Sequence, residues 1–266
     1  KKSAHRESEA VRTRCRRDLR MHQVKRIQCW SGPRNISTAL MYSWRQRADT
    51  TVYDEPFYAH YLSLGDRDHP GVAEVLASQS SDADEVIRDV ILGHVPTPVF
   101  YIKQMAHHLK AVDRSHLGQT ENIVLVRHPR EMLASLSVQL PNCELSDTGL
   151  VESVELLDAI LAEGGAPIVI ESQTLLKDPA GVLTAVCSRL GLQFDEAMLT
   201  WPKGPKPQDG AWAPHWYDNV HTSTGFAPHR PSTHPVPDRL GPILVEAMPL
   251  FERLSQYAVG AETTAG

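Results

Sequence analysis

The sequence has few cysteines, and those present are not arranged as a metal site or a disulfide framework. Cys15, Cys29, Cys143 and Cys187 are spread over 266 residues without a Cys-x-x-Cys pair. A zinc site or a disulfide-rich secreted domain would require closely spaced cysteines. The zinc-binding pattern His-Glu-x-x-His is also absent. The sequence therefore predicts reduced thiols, as in a cytoplasmic protein, and no metal site.

Long apolar runs and a broad basic character are missing as well. No apolar stretch approaches the roughly 20 residues of a membrane-spanning helix. Ten Lys and Arg against three Asp and Glu give residues 1–26 a charge of +7, which leaves −12 for the remainder of a chain of net charge −5. A nucleic-acid-binding body presents a broad basic face. The sequence therefore predicts a soluble chain with neither a membrane nor a nucleic acid as its partner.

Apolar runs of strand length alternate along the chain with segments of helical spacing, including a predicted helix at 82–94. The predicted strands are 27–30, 51–53, 98–103, 122–126 and 167–170. This alternation predicts an α/β fold, with one doubly wound parallel sheet flanked by helices.

The predicted domain organisation is a single domain at 24–258 with two loosely attached ends. Residues 1–23 are predicted to be a flexible basic arm, and residues 259–266 a frayed tail. The Pro-rich segment 201–237 is irregular but rich in Trp and Tyr, which disordered linkers lack. We therefore predict that it forms an ordered lid.

The turn between the first predicted strand and the first predicted helix has the composition of an anion site. Unpaired backbone N–H groups and the positive end of the dipole lie at a helix start, so hydroxyls and an Arg there form a receptor for phosphate or sulfate. The same polar side chains also serve as ordinary helix caps. Ser37 and Thr38 stand where an ATP-binding P-loop has Gly and Lys, so Mg·ATP is not the expected ligand. The residues of this predicted site are Gly32, Arg34, Asn35, Ser37 and Thr38.

Further polar residues follow the other predicted strands, at the edge where a parallel sheet forms its ligand crevice. Glu55 follows one strand, and Lys103 ends the next, with His107 shortly beyond it. Arg127 follows a third strand, and Ser135 lies two helical turns further along. Lys and Arg in such places bind anions, and Glu or His exchanges protons. Structural alternatives remain open: a solvated helix start for the Glu, satisfied buried imidazoles, and an Arg paired with a carboxylate.

Aromatic residues near Glu55 and in the predicted lid indicate a substrate pocket. Its predicted lining is Tyr53, Tyr58, Tyr61 and Trp216. Such walls stack a sugar, cover an aromatic ring or cage a cationic amine, so the sequence leaves the chemistry of this small-molecule partner open.

Two of these motifs together resemble the sulfotransferase superfamily, which uses 3′-phosphoadenosine 5′-phosphosulfate. The loop 34–38 is similar to the family's 5′-phosphosulfate loop, and Arg127 with Ser135 eight residues later has the family's spacing for the 3′-phosphate. Asp54-Glu55-Pro56 looks like the Glu-Pro segment of bacterial trehalose sulfotransferase-type enzymes, in which the Glu serves as base. The segment 103–108 is similar in position to the Lys and His of cytosolic aryl and steroid enzymes. The chain looks most like a sulfotransferase-like group related to aminotransferase-fused proteins.

The resemblance implies a P-loop NTPase-like fold and transfer of a sulfuryl group from 3′-phosphoadenosine 5′-phosphosulfate to a hydroxyl or amine of a small metabolite. Arg34 would stabilise the leaving phosphate, Lys103 would neutralise the transferring group, and either Glu55 or His107 would accept the acceptor's proton. One departure is Ile36, which stands where the family often has Gly. The implied cofactor-binding set is Gly32, Arg34, Asn35, Ser37, Thr38, Arg127 and Ser135.

Two other interpretations remain open from the sequence. One is a non-catalytic nucleotide-binding regulatory protein of the same fold, which the irregular segment 201–237 and Ile36 favour. The other is a small-molecule kinase, which the missing P-loop Lys disfavours.

Overall fold

Five parallel strands form the central sheet in a computed structural model that describes residues 24–65, 69–230 and 235–260. The strands are β1 (Lys25–Ser31), β2 (Thr50–Asp54), β3 (Val99–Met105), β4 (Glu121–Val126) and β5 (Ile168–Glu171). Their order in the sheet is β2-β3-β1-β4-β5. The predicted α/β class with one parallel sheet is confirmed. The predicted arm 1–23 and residues 261–266 of the predicted tail lie outside the described residues.

Helices flank this sheet on both faces. The α-helices are α1 (Ser37–Trp44), α2 (Tyr58–Ser63), α3 (Val72–Ser78), α4 (Ala83–Glu85), α5 (Pro129–Gln139), α6 (Leu150–Ala162), α7 (Ser172–Lys177), α8 (Pro179–Arg189), α9 (Ala213–Trp216), α10 (Asp218–His221) and α11 (Gly241–Ser255). Short 3₁₀ segments are Ala106–Leu109, Arg114–Gln119, Leu145–Asp147, Glu196–Leu199 and Asp238–Leu240. Among the described residues, no helix combines the length and the apolar character needed to cross a membrane.

Two hydrophobic cores lie on the opposite faces of the sheet, as the alternation of side chains along a strand requires. In β4, Val124 and Val126 pack with residues of α5, α6 and α11, whereas Ile123 and Leu125 pack with residues of α1 and α8. All four side chains are buried. Burial on both faces explains why this strand is an unbroken apolar run in the sequence.

The predicted helix at 82–94 is present but shorter, and most of it is not α-helical. Only α4 is α-helical, and the chain continues as a π-helix at Val86–Ile91. The Leu92 N–H donates to the Ile87 carbonyl, five residues back, at 2.9 Å. Val86 and Ile91 are both buried. The wider π turn brings these two residues, which are five apart, toward the same core, and an α-helix would separate them around its axis.

The C-terminal ends of the strands lie at one edge of the sheet, because all the strands are parallel. Asp54 at the end of β2 is the register partner of Lys103 in β3, and Ser31 at the end of β1 is the partner of Met105. The predicted lid, 201–237, contains α9 and α10, and Thr200 forms a bridge with Gly225. Residues 231–234 of this segment lie outside the described residues.

Candidate active site

A cavity of about 1000 Å³ lies beside the C-terminal ends of the strands. Its walls come from the β1–α1 turn, the ends of β2, β3 and β4, and the predicted lid. In the described part of the chain, no group of three or more His, Cys, Asp and Glu side chains is placed to hold a metal ion. The predicted site residues that line the cavity are Arg34, Asn35, Ser37, Thr38, Glu55, Tyr58, Tyr61, Lys103, His107, Arg127 and Trp216.

One end of the cavity carries two guanidinium groups, and we call Arg34 and Arg127 with the α1 N-terminus the cationic end. Arg34 Nε donates to Ser135 Oγ at 3.0 Å, and Arg127 Nη1 donates to the Arg34 carbonyl at 2.9 Å. Arg127 Nε also pairs with Glu131 Oε2 at 3.3 Å, which is the carboxylate partner that the sequence left open. Burial, together with the nearby charge of Arg127, lowers the pKa of Arg34. Two neighbouring cations at a partly buried site favour the binding of an anion, which relieves their repulsion.

The backbone of the β1–α1 turn is held in an unusual conformation. Arg34 has φ of 62° and Ile36 has φ of 59°, in the left-handed region. For residues with a Cβ this conformation costs roughly 1–2 kcal/mol each, which explains why Gly is favoured at such positions. Ile36 is the N-cap of α1 and provides no side-chain cap. The backbone N–H groups at the N-terminus of α1 are therefore not capped by the side chain of the N-cap residue.

Glycine is required at position 32 by packing. A Cβ on Gly32 would lie 2.0 Å from the Thr148 carbonyl oxygen. Gly32 does not line the cavity, and its contribution is to let the turn pass close to the segment before α6. Ser135 also lies behind the cavity wall, where its hydroxyl accepts the bond from Arg34.

The opposite part of the cavity contains buried charges, and we call Asp54, Glu55 and Lys103 the carboxylate end. Lys103 Nζ donates to Asp54 Oδ1 at 3.0 Å, to Tyr217 OH at 3.0 Å and to Glu55 Oε1. An ammonium has three donors, and all three are used here. Lys103 therefore acts as the partner of protein groups in this structure, which differs from its predicted role of neutralising a transferring group.

Glu55 has a proton affinity suited to exchange near neutral pH. Burial raises the pKa of Glu55 to about 7, with a further increase from Asp54 and an opposing decrease from Lys103. Its Oε2 lies 4.0 Å from His108 Nδ1. Burial also holds the pKa of His108 well below its usual range, so this imidazole is neutral. A carboxylate with a pKa near the working pH is effective as a general base.

Rings surround Glu55, and we call Tyr58, Tyr61, His107, His108 and Trp212 the aromatic wall. His108 stacks on Tyr58 and on Tyr61, each with 4.8 Å between ring centroids. His107 lies edge-on to Tyr61 at 5.1 Å, and Trp212 edge-on to Tyr58 at 5.0 Å. The wall provides apolar faces for a flat or compact ligand group.

The prediction that Tyr53 lines the pocket is wrong. Its ring lies edge-on to Phe100 at 6.5 Å and packs on the hydrophobic core of that face of the sheet. Successive residues of a strand point to opposite faces, so Tyr53 points away from its neighbours Val52 and Asp54. Tyr58 and Tyr61 do line the cavity near Glu55, but the position of Tyr53 within the strand directs its side chain away from it.

The site also contains residues that were not predicted, among them Asp54, Trp212 and Tyr217. Tyr217 OH donates to Asp54 Oδ2 at 2.7 Å and accepts from Trp212 Nε1 at 3.1 Å. The Gly210 N–H donates to the same Asp54 oxygen at 3.2 Å. Asp54 was detectable from its place beside Glu55 at a strand end. No local pattern distinguishes Tyr217 from the other aromatic residues of the segment 201–237.

Comparisons with known proteins agree with this architecture. The sequence matches the family model for the sulfotransferase domain over residues 25–258. Branched-chain-amino-acid aminotransferase-like protein 1 of Arabidopsis thaliana is 34% identical over 238 residues, which are 89% of this chain and 43% of that protein. Branched-chain-amino-acid aminotransferase-like protein 2 of the same plant is 33% identical over 229 residues, 86% of this chain and 41% of that protein. The chain thus spans about two fifths of the length of these relatives.

The fold is also similar to a solved structure. The crystal structure of a sulfotransferase from Alicyclobacillus acidocaldarius superposes with a TM-score of 0.52 at 14% identity, over 88% of this chain and 95% of that chain. At this identity the similarity concerns the fold alone.

Proposed function

Because the chain belongs to the sulfotransferase domain family, we propose that it is a sulfotransferase whose donor is 3′-phosphoadenosine 5′-phosphosulfate and whose acceptor is a hydroxyl or amine of a small metabolite. The observation that carries this proposal is the single cavity that joins the cationic end to Glu55 and the aromatic wall. Membership of a family of enzymes favours this function over a non-catalytic regulatory role.

The cationic end suits the two phosphate groups of this donor. Two guanidinium groups and a helix N-terminus together fit an anion with several charged oxygens. Arg34, with Ser37 and Thr38 at the start of α1, would bind the 5′-phosphosulfate and stabilise the negative charge that develops on the leaving phosphate. Arg127 would bind the 3′-phosphate, and Ser135, behind the cavity wall, would hold Arg34 in place through their hydrogen bond. When bound, the nucleotide supplies the sulfuryl group and is released as 3′,5′-adenosine bisphosphate.

Glu55 is our choice for the general base. It lines the cavity, it is buried, and its pKa of about 7 allows it to take a proton from an acceptor hydroxyl or amine at neutral pH. Lys103 would hold the carboxylate in place, since its three donors are bonded to Glu55, Asp54 and Tyr217. His107 also lines the cavity and remains the second candidate for this role.

The aromatic wall would bind the acceptor beside Glu55. Tyr58, Tyr61 and Trp212 provide ring faces and edges around the carboxylate, and they exclude water from it. Proximity of the acceptor to both Glu55 and the cationic end would then favour transfer within the cavity.

One comparison of ligands tests the proposed donor. Thermal unfolding is measured with 3′,5′-adenosine bisphosphate and, separately, with Mg·ATP. The protein is then incubated with 3′-phosphoadenosine 5′-phosphosulfate and a metabolite extract, and mass spectrometry searches for a product that has gained one SO₃ unit. We expect stabilisation by the bisphosphate and a sulfated product. Stabilisation by Mg·ATP alone would instead support a kinase.

A further inference from the structure

A buried lysine lies between two carboxylates at the carboxylate end. Lys103 Nζ is bonded to Asp54 Oδ1 and to Glu55 Oε1, and the three residues are 2%, 3% and 6% exposed. Asp54 and Lys103 are register partners of adjacent strands, so the sheet itself fixes this pair. Glu55, one residue beyond β2, therefore shares with Asp54 the counterion that it would otherwise hold alone.

The carboxylate of Asp54 is held in place by residues of the predicted lid. Asp54 Oδ2 accepts from Tyr217 OH at 2.7 Å and from the Gly210 N–H at 3.2 Å. Together with Lys103 on Oδ1, these bonds hold both oxygens of Asp54 from three directions. Tyr217 is 4% exposed, so its bond to Asp54 is shielded from water. Asp54 thus has a fixed position and does not approach the ligand in place of Glu55.

We propose that Asp54 is a positioning residue for Glu55: by sharing the Lys103 ammonium, and by being held in place from the lid through Tyr217, it leaves the Glu55 carboxylate only partly neutralised and therefore able to accept the acceptor's proton. This inference rests on the proposed function, in which Glu55 is the base. Asp54 acts through Lys103 and does not itself contact the substrate.

The electrostatics of the cluster give the direction of the effect. Asp54 raises the pKa of Glu55, and Lys103 lowers it. Without the charge of Asp54, Lys103 would act on Glu55 alone, so the carboxylate would be a weaker base. The titratable groups that face Glu55 from the surrounding elements are Asp54, Tyr58, Lys103, His108 and Tyr217.

The first test uses Asp54→Asn, which keeps the shape of the side chain. The pKa of Glu55 is measured by ¹³C NMR titration of protein labelled at its glutamate carboxyl carbons, with the Glu55 signal identified by its loss in Glu55→Gln. The acid limb of the pH profile of kcat/KM is measured in parallel. We expect both to move to lower pH by about one unit. The matched control is Asp218→Asn, which removes one charge from an exposed residue beside Tyr217 and should leave both unchanged.

Tyr217→Phe is the second variant, and it carries the test alone if Asp54→Asn does not fold. Loss of the hydroxyl removes a donor from Asp54 Oδ2 and also frees the Lys103 donor that the hydroxyl accepted, so Asp54 would draw more of the Lys103 charge. We therefore expect the pKa of Glu55 and the acid limb to move in the opposite direction, to higher pH. A merely structural role would reduce activity without opposite shifts in the two variants.

The two readouts separate the failure of this inference from that of the proposed function. An unchanged pKa of Glu55 in the folded Asp54→Asn variant, or in Tyr217→Phe where only that variant folds, would overturn the positioning role. If the pKa moves but the pH profile of kcat/KM does not, Asp54 positions Glu55 as proposed and Glu55 is not the base.

Discussion

The two ends of the cavity handle buried charge in opposite ways. At the cationic end, Arg34 donates to a serine hydroxyl, and Arg127 donates to a backbone carbonyl and to one carboxylate, that of Glu131, at 3.3 Å. At the carboxylate end, Lys103 donates to two carboxylates and a phenol. Two guanidinium groups with one carboxylate partner thus leave net positive charge available to a ligand at the first end. At the second it is compensated within the protein, where it adjusts the proton affinity of Glu55.

Glu55→Gln should have the largest effect, and it should reduce turnover without weakening nucleotide binding. Loss of a general base reduces the rate by about 10²–10⁴-fold. Affinity for 3′,5′-adenosine bisphosphate should stay within about twofold, since the cationic end is unchanged. Steady-state kinetics and titration calorimetry measure the two quantities.

His107→Gln is the matched variant for this prediction, because His107 lines the same cavity. We expect it to keep most of the turnover. A large loss in His107→Gln with near-normal turnover in Glu55→Gln would assign the base to His107.

Glu55 should also make stability depend on pH. Its pKa is raised from 4.5 to about 7, so between these values the folded protein holds a proton that the unfolded chain has released. Stability contributed by this group therefore falls as pH rises through that window. The unfolding free energy of Glu55→Gln minus that of the wild type should therefore rise by on the order of 3 kcal/mol from below pH 4.5 to above pH 7. Urea unfolding below pH 4.5 and above pH 7 measures this, and parallel pH dependence in both proteins would contradict it.

Arg127→Gln should affect binding without changing the acid limb of the pH profile. Loss of a charge-assisted bond costs about 1.5–3 kcal/mol, which corresponds to about 10–100-fold weaker binding of 3′,5′-adenosine bisphosphate. Arg130→Gln removes the same charge from an exposed residue three positions later, in α5, and should bind almost normally. Equal losses in the two variants would indicate long-range attraction by net charge in place of a specific contact.

Gly32→Ala should have the smallest effect, and it should act on the scaffold of the cationic end. Its Cβ would meet the Thr148 carbonyl oxygen at 2.0 Å, and overpacking of this kind costs about 1–3 kcal/mol. Gly241→Ala is the control, because a Cβ there has no heavy atom within 4 Å. Thermal unfolding compares the two variants, and equal melting temperatures would show that the turn adapts to the methyl group without cost.

The sheet and the cationic end were predictable from local sequence patterns. Unbroken apolar runs such as 123–126 marked strands buried on both faces, and polar residues directly after them marked the edge where a ligand binds. Arg34 and Arg127 follow β1 and β4 closely, so the order of elements was enough to bring them together. For the same reason, Glu55 and Lys103 were predicted at the site.

The partners of those residues depend on contacts that no local pattern records. Asp54 meets Tyr217 across 163 positions of sequence, through a segment whose composition predicted order but no particular contact. Tyr53 was assigned to the pocket from composition, although a one-residue step along a strand reverses the direction of a side chain. The partners of Lys103 were also beyond local patterns, because its donors are used by groups that only the folded chain assembles.

The most direct test of the two-phosphate site compares 3′,5′-adenosine bisphosphate with 5′-AMP by titration calorimetry, on the wild type and on Arg127→Gln. A site in which Arg127 binds the 3′-phosphate predicts that the wild type prefers the bisphosphate by about tenfold or more, and that Arg127→Gln loses most of this preference. Equal affinity of the wild type for the two nucleotides, or a preference that survives in Arg127→Gln, would contradict it.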